Sequence, residues 1–148
     1  EEAGDKFGVS LTGATLESAT AKRETLIAIG AGGAGVRNLG RVYVFLWKQG
    51  EAELLYRIEP DETGAALGVM FLSIVGDVDA DGYPDVYASD WPNGAKGPST
   101  GRVYVYSGGE EKHLMMLEGE HAGDGFGIGT AEVGDVDGDG HADLLIGA

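Results

Sequence analysis

An acidic loop occurs twice in this sequence, and its spacing is the same both times. Residues 76–85 read GDVDADGYPD, and residues 134–143 read GDVDGDGHAD, so each loop carries four aspartates. Two carboxylates about 4 Å apart repel by roughly 1 kcal/mol in water, and by several-fold more near a protein surface. Such crowding requires an opposing positive charge. The recurrence with intact spacing also indicates a chain built from repeats, which is the strongest constraint on its fold.

Other segments repeat with the same period. EEAGDKFG at 1–8 returns as EHAGDGFG at 120–127, with a weaker copy, TGAALG, at 63–68. GRVYVF at 40–45 returns as GRVYVY at 101–106. The period is about 60 residues, and a fixed period of this kind indicates a repeat architecture such as a propeller. We therefore divide the chain into three units, at 1–60, 61–119 and 120–148, the last of which is short.

Each complete unit is predicted to contain four short strands. β-branched and aromatic residues fill the runs, and Gly, Pro, Asn and Asp separate them. RVYVFLW at 41–47 is apolar on both faces, which predicts a sheet covered on both sides, whereas the mixed AELLYRI at 52–58 is typical of an outer edge strand. The predicted strands are 7–11, 26–31, 41–47 and 52–58, then 67–75, 85–89, 102–107 and 113–117, and finally 126–133 and 143–148.

No stretch shows a convincing helical period, and 27 glycines among 148 residues favour tight β turns over helices. Four-stranded units at this period are typical of propeller blades. The sequence therefore predicts an all-β fold made of β-propeller blades of four antiparallel strands, with about two and a half blades present.

The overall charge narrows the range of partners. The formal net charge is −15, which argues against nucleic-acid binding and against docking on anionic lipid, because both need a basic surface. The longest apolar run, VMFLSIV at 69–75, is far too short to span a bilayer, so no direct membrane insertion is expected. There are no cysteines, which excludes disulfides and thiolate metal sites.

The aspartates of both loops follow the pattern D-x-D-x-D-G-x-x-D, which indicates a Ca²⁺ loop. Ca²⁺ takes six to eight oxygen ligands, and alternating carboxylates on a curling loop converge on one point, with Gly at position 6 permitting the sharp turn. Position 7 offers a backbone carbonyl and position 9 a further carboxylate. The predicted metal ligands are Asp77, Asp79, Asp81, Tyr83 and Asp85 in one loop, and Asp135, Asp137, Asp139, His141 and Asp143 in the other.

These loops differ from an EF-hand. An EF-hand needs a bidentate Glu at position 12, where this sequence has Ala88 in one loop and Ile146 in the other. No predicted helix flanks either loop, so we interpret both as β-type calcium loops. The alternative interpretation is an acidic turn that binds no metal.

The corresponding loop of the first unit has lost this pattern. It reads ESATAKRET at 17–25, so positions 1, 3, 5 and 9 fall on Glu17, Ala19, Ala21 and Thr25. Lys22 and Arg23 add positive charge that the other loops lack. We therefore expect no metal in the first unit, with side-chain charge in place of a cation.

With these features the chain resembles tandem FG-GAP repeats, the blades of the integrin α-subunit β-propeller and its bacterial relatives. FG occurs as Phe7-Gly8 and Phe126-Gly127, and degenerately as Leu67-Gly68. The GAP element occurs as Gly30-Ala31-Gly32 and ends the chain as Gly147-Ala148, whereas the second unit has SDWP in its place.

The resemblance implies a propeller of about seven blades. It implies Ca²⁺ in the loop joining the first and second strands of a blade, and ligand binding on the opposite face. A chain of this length is then either a fragment or part of a ring assembled from several chains. Self-association through the incomplete blades is a further expectation, because unpaired strand edges recruit other strands.

By this geometry the ligand face holds the loop 88–101, with Trp91 and Lys96, and the loop 30–40, with Arg37. An exposed Trp is a good stacking platform for a sugar or an anchor for a protein. The alternative is that Trp91 only caps its blade. We therefore predict an extracellular, periplasmic or cell-surface binding and adhesion module for protein or carbohydrate ligands.

Two other functions remain open. The segment is alternatively a non-catalytic or scaffold part of a secreted polysaccharide-degrading enzyme, or a purely structural spacer. No G-x-S-x-G elbow, H-E-x-x-H helix or Gly-rich phosphate loop is present, and calcium accounts for the clustered carboxylates. We therefore predict that the segment itself is not an enzyme.

Overall fold

The computed structural model describes residues 3–16 and 23–148. These residues form ten β-strands and one short 3-10 helix, Val36–Asn38. Among them, no helix is long and apolar enough to cross a membrane. The strands are β1 (Phe7–Leu16), β2 (Glu24–Ala31), β3 (Arg41–Lys48), β4 (Glu51–Ile58), β5 (Leu72–Val75), β6 (Asp85–Asp90), β7 (Arg102–Tyr106), β8 (His113–Glu118), β9 (Gly129–Gly134) and β10 (Asp143–Gly147).

The strands form three antiparallel sheets in chain order. The first sheet is β1-β2-β3-β4, the second is β5-β6-β7-β8, and the third is the pair β9-β10. Within each sheet, strands that follow one another in sequence pair with each other, and no sheet closes into a barrel within the described residues. The all-β prediction is therefore confirmed, and this arrangement is consistent with two blades and part of a third blade of a partial propeller.

Packing of the first sheet on the second forms the largest core cluster. From the first sheet it contains Leu26, Val42, Val44, Tyr56 and Ile58, all buried. Val86, Ala88 and Tyr104 come from the second sheet, and Leu67 from the connection between the sheets. Because side chains alternate along a strand, the valines of β3 face the second sheet while Tyr43 joins a small cluster on the other face with Ala31 and Ala34. The pattern predicted a sheet covered on both sides, but among the described residues the second sheet covers only one face of the first, and Phe7 and Trp47 on the other face are 36% and 44% exposed.

The second sheet packs on the third with its opposite face. Val75, Tyr87, Val103 and Val105 are buried there, and Phe126, Leu144 and Ile146 pack against them from the third unit. The Tyr87 hydroxyl also donates a hydrogen bond to the Gly127 carbonyl, at 3.2 Å. The second sheet is thus covered on both faces, which fixes the position of the loop between β5 and β6.

Some strand boundaries differ from the predicted ones. β1 runs from Phe7 to Leu16, longer than the predicted 7–11, and pairs along its length with β2. β5 begins only at Leu72, because Gly68 and Phe71 have positive φ angles of 71° and 52° that interrupt an extended strand. The run 67–71 was therefore wrongly predicted as strand.

Candidate metal centre

The two acidic loops join the first and second strands of their sheets. The second-unit loop (76–85) connects β5 to β6, and the third-unit loop (134–143) connects β9 to β10. Most of the first-unit loop, including Glu17, Ala19, Ala21 and Lys22, lies outside the described residues.

Backbone amides fold the second-unit loop around its own carboxylates. Asp77 accepts hydrogen bonds from the amides of Asp81 and Gly82, at 3.0 and 2.8 Å. Asp81 accepts from the Tyr83 amide at 2.8 Å, and Asp85 accepts from the Val78 amide at 2.7 Å. The carboxylates therefore point inwards as the loop curls.

The third-unit loop repeats this hydrogen-bond pattern position by position. Asp135 accepts from the amides of Asp139 and Gly140, at 3.0 and 2.9 Å, and its pKa is lowered mainly by the Gly140 amide. Asp139 accepts from the His141 amide at 2.9 Å, and Asp143 from the Val136 amide at 2.8 Å. Two segments with different neighbours thus adopt the same curled conformation.

In each loop the carboxylates at positions 1, 3 and 9 converge. One carboxylate oxygen from each residue lies within 4.8 Å of the others. The fifth-position aspartates are not in these groups, and Asp81 is bonded to Tyr83 and to the Ser107 hydroxyl, the latter at 2.8 Å. The two groups are Asp77, Asp79 and Asp85, and Asp135, Asp137 and Asp143.

The second-unit loop carries electrostatic strain. Asp85 is fully buried, and burial raises the pKa of its carboxyl to about 6, with Asp79 and Asp81 acting in the same direction. Hydrogen bonds from the amides of Val78 and Gly108 oppose this rise. Asp79 keeps one carboxylate oxygen, Oδ1, buried without a hydrogen-bond partner. An unpaired buried polar atom is costly, so this site has unused ligand capacity.

This donor set fits a hard divalent cation. Every converging side chain offers carboxylate oxygen, the ligand that Ca²⁺ and Mg²⁺ prefer. A bound cation would supply the charge that offsets the crowding, and Asp79 Oδ1 would gain a partner. Residues at positions 1, 3 and 9 would hold the ion, and the carbonyls of Tyr83 and His141 remain predicted ligands.

Three contacts around the loops were not predicted from the sequence. Lys112, in the turn between β7 and β8, donates to Asp79 Oδ2 at 2.6 Å. The Ser107 hydroxyl donates to Asp81, and the His141 ring lies against the second-unit loop, 2.8 Å from the Val78 carbonyl oxygen. No local motif signals these contacts, because each joins segments brought together only by strand pairing or sheet packing.

The predicted ligand-face residues lie at the other end of the strands. Trp91 follows β6, at the end opposite the second-unit loop, and its side chain is half-buried. Lys96 pairs with Glu118 at 3.0 Å and also donates to the Gly119 carbonyl. Arg37 lies in the 3-10 helix with a φ of 59°, and its guanidinium donates to the Glu62 carbonyl at 2.9 Å.

The loop 30–40, which carries Arg37, and the loop 88–101, which carries Trp91, both contact the connection between the first and second sheets. Arg37 bonds Glu62, and the Gly94 amide donates to the Thr63 carbonyl at 3.3 Å. The loops that carry Arg37 and Trp91 are therefore held against one linker.

Comparison with known proteins agrees with this architecture. The FG-GAP-like repeat family matches residues 77–146, which include the eight aspartates of the two acidic loops. The chain is an FG-GAP repeat protein. Integrin alpha-4 of Xenopus laevis is 34% identical over 122 residues, which cover 76% of this chain and 12% of that protein. Integrin alpha-6 of Gallus gallus is 29% identical over 114 residues, covering 74% of this chain and 10% of that protein. The chain thus spans about a tenth of the length of these relatives.

The structure shows why the two named elements of an FG-GAP repeat occur together. The glycine of each FG element has a positive φ, 87° at Gly8, 71° at Gly68 and 96° at Gly127, which favours glycine over any other residue. The Gly68 amide donates to the Ser89 carbonyl and the Gly127 amide to the Gly147 carbonyl, at 3.1 and 2.9 Å. In the second and third units, the FG glycine is therefore hydrogen-bonded to the end of the second strand of its own unit.

Proposed function

We propose that this FG-GAP segment is a calcium-binding module with one Ca²⁺ in the second-unit loop and one in the third-unit loop. One observation carries the proposal: two separate loops have the same internal hydrogen bonds and each gathers three carboxylates within 4.8 Å. Neither loop contains the balancing cation within itself. The first unit, whose loop lacks the aspartates, is proposed to bind none.

Ca²⁺ is proposed in preference to Mg²⁺. Each loop offers up to five ligand residues, four of them aspartates, and this number of oxygen donors suits the larger ion, which takes six to eight oxygens. Mg²⁺ requires a near-ideal octahedron at shorter distances and gives up its waters reluctantly.

Titration of chelator-treated protein with Ca²⁺ tests this proposal. We expect two sites, and Asp79→Asn and Asp137→Asn should each remove one. Asp124→Asn is a matched control, because Asp124 caps the amides of Glu120 and His121 outside both loops. Binding of no Ca²⁺ would contradict the proposal, and a third site would contradict the assignment of the first unit.

We further propose that the module serves adhesion-type binding of a protein ligand outside the cell or at its surface. The similarity to integrin α subunits supports this proposal. The proposal includes the division of the segment into repeat units 1–60, 61–119 and 120–148. Calcium would fix the loops at one end of the blades, while Trp91, Lys96 and Arg37 at the other end contact the ligand. The segment is proposed to be non-catalytic.

Binding to an array of extracellular-matrix proteins tests this second step. We expect retention on at least one matrix protein, reduced by Trp91→Ala. Trp47→Ala is the matched control, because Trp47 is similarly large, 44% exposed and placed on the first sheet away from the loop 88–101. Equal loss with both variants, or retention on no protein, would contradict the assignment of a ligand face.

A further inference from the structure

The two acidic loops touch each other across the boundary between the second and third units. The Ala142 amide donates to the Asp77 carbonyl at 2.8 Å. Beside it, Nδ1 of the His141 ring lies 2.8 Å from the Val78 carbonyl oxygen. Because a carbonyl oxygen only accepts, the imidazole donates this bond through Nδ1.

The contact involves the ligand-bearing residues themselves. Asp77 is the first ligand of the second-unit loop, and its own carbonyl accepts the bond. Ala142 lies between His141 and Asp143, the last two predicted ligands of the third-unit loop. One hydrogen bond therefore joins the backbone of both cation sites, with no intervening side chain.

Gly76 permits this close approach. A Cβ atom at this position would lie 2.6 Å from Cβ of Ala142 and 2.7 Å from Oε1 of Glu132. Real Cβ atoms do not come that close to other atoms, so any larger residue would separate the loops. Gly76 has no positive φ, so glycine is required here by the neighbouring chain and not by backbone strain.

We propose that the two cation sites are coupled through this contact, so that filling either site raises the affinity of the other. This inference rests on the proposed calcium binding. A cation orders the loop that binds it, and an ordered third-unit loop presents Ala142 and His141 in fixed positions against Asp77 and Val78. The second cation then meets a loop that is already partly ordered, and less conformational entropy is lost on binding.

The charge of a bound cation opposes this positive coupling. A filled site carries two fewer negative charges than an empty one, so it attracts the next cation less strongly. Salt screens exposed charges beyond about 8 Å at physiological ionic strength, whereas a direct hydrogen bond between the loops is not screened. The coupling is therefore measured at physiological salt, which weakens the opposing effect of charge.

Single-site variants provide the test. The second site is measured alone in Asp137→Asn and the third site alone in Asp79→Asn, by calorimetric titration with Ca²⁺. We expect each isolated site to bind about five-fold or more weakly than in the parent protein. Linkage requires the two factors to be equal, because coupling between binding free energies is reciprocal.

Two further variants locate the coupling in the contact. Gly76→Ala should push the loops apart, and His141→Ala removes the bond to Val78 while keeping the backbone carbonyl at position 141. Both variants should reduce the coupling measured between the two sites. Gly129→Ala is the matched control, because a Cβ at Gly129 meets no atom within 4 Å.

The outcomes separate this inference from the proposed function. If isolated sites bind Ca²⁺ as tightly as the parent protein, or more tightly, calcium binding stands and the coupling is wrong. If Gly76→Ala and His141→Ala both leave the coupling unchanged, the contact does not carry it. If the parent protein binds no Ca²⁺, the proposed function fails and this inference fails with it.

Discussion

At the scale of single residues, Lys112 is a cationic side chain that reaches the second-unit loop from the turn between β7 and β8. Its ammonium lies 2.6 Å from Asp79 Oδ2, and Asp79 raises the pKa of Lys112. Asp79 is also one of the three carboxylates that converge at this loop. A divalent cation at the site therefore competes with the lysine for the same carboxylate and is repelled by its charge.

Lys112→Gln should raise the Ca²⁺ affinity of the second-unit loop. Because the ion pair between Lys112 and Asp79 is exposed to solvent, its contribution is small, and removing this competitor should strengthen Ca²⁺ binding by up to about five-fold. Titration of Lys112→Gln in the Asp137→Asn background, where only this loop binds, gives the measurement.

Lys48→Gln is the control for that experiment. Lys48 forms a similarly exposed ion pair with Glu53 on the first sheet, and the loss of its charge should leave the affinity unchanged. Equal affinities for Lys112→Gln and its parent would show that the lysine does not compete with the metal.

Asp90 is a buried carboxyl that no cation site uses. It is fully buried at the end of β6 and accepts hydrogen bonds from the amides of Ala65 and Ala66, at 3.2 and 2.7 Å, and from the Asn93 side chain at 3.0 Å. Burial raises the pKa of Asp90, and the bond from Asn93 opposes the rise. The folded protein therefore holds this proton to a higher pH than the unfolded chain.

The pH dependence of stability should reveal Asp90. Because its folded pKa is raised, its contribution is fully present below the unfolded pKa of about 4 and is lost as pH rises through the folded pKa. Asp90→Asn removes this titration, so its free energy of unfolding should decline less than that of the parent protein as pH rises from about 4. Urea unfolding across this range, with chelator present, measures the difference.

In the same experiment, Asp124→Asn should change the pH dependence of the free energy of unfolding in the opposite direction. The amide of His121 lowers the pKa of Asp124, so its contribution is present above the unfolded pKa and is lost as pH falls. Parallel pH profiles for the parent protein and Asp90→Asn would contradict the raised pKa of Asp90.

At the scale of elements, Tyr56 links the first sheet to the second-unit loop through hydrogen bonds at Ser107. Tyr56 lies in β4 of the first sheet, and its hydroxyl donates to the Ser107 carbonyl at 2.5 Å. The Ser107 hydroxyl in turn donates to Asp81. The Tyr56 ring also stacks on Tyr106, with ring centroids 6.0 Å apart. The first sheet therefore supports a loop that belongs to the second.

Tyr56→Phe should destabilise the protein by about 1 kcal/mol, because it leaves the buried Ser107 carbonyl without this donor while keeping the ring. Tyr106→Phe, which removes a hydroxyl outside this bond, should change stability less. Denaturant unfolding compares the two variants, and a smaller effect at Tyr56 than at Tyr106 would contradict the role assigned to the hydrogen bond.

Most elements were predictable from local pattern. RVYVF and RVYVY produce β3 and β7 because β-branched and aromatic residues favour extended strands in a sheet. The mixed segment 52–58 forms β4, the edge strand of the first sheet, as predicted, and Glu53 and Arg57 on it are exposed. The start of β5 was not predictable, because the apolar run 67–71 looks like a strand and does not indicate the positive φ angles at Gly68 and Phe71.

The candidate site was predictable only in part. The carboxylates at positions 1, 3 and 9 converge because spacing along a single loop determines their geometry. Lys112 and Ser107 reach the second-unit loop through strand pairing in the second sheet, and His141 reaches it through packing of the third unit. Such contacts depend on register and sheet packing, which no local stretch of sequence specifies.

At the scale of the whole molecule, charge and metal binding are linked. The chain carries 25 acidic and 10 basic residues, and the two acidic loops concentrate eight of the acidic ones. In the metal-free protein the folded state holds these carboxylates together, whereas unfolding separates them. Folding is therefore penalised without a cation, and the penalty is removed when both loops are filled.

Calcium should for this reason control the melting temperature. A ligand that binds only the folded state stabilises it by about 2.7 kcal/mol at a hundred times its dissociation constant. Each kcal/mol raises the melting temperature by about 2–4 °C in a domain of this size, so one filled site adds roughly 5–10 °C.

Chelator should lower the melting temperature, Ca²⁺ should restore it, and Mg²⁺ should restore it poorly, because the smaller ion needs a tighter octahedron. Asp79→Ala should remove one site's share of the gain, while Lys48→Gln should keep the full response. Superimposable melting curves with chelator and with excess Ca²⁺ would show that the aspartates do not serve a metal, because no bound cation would then distinguish the folded from the unfolded state.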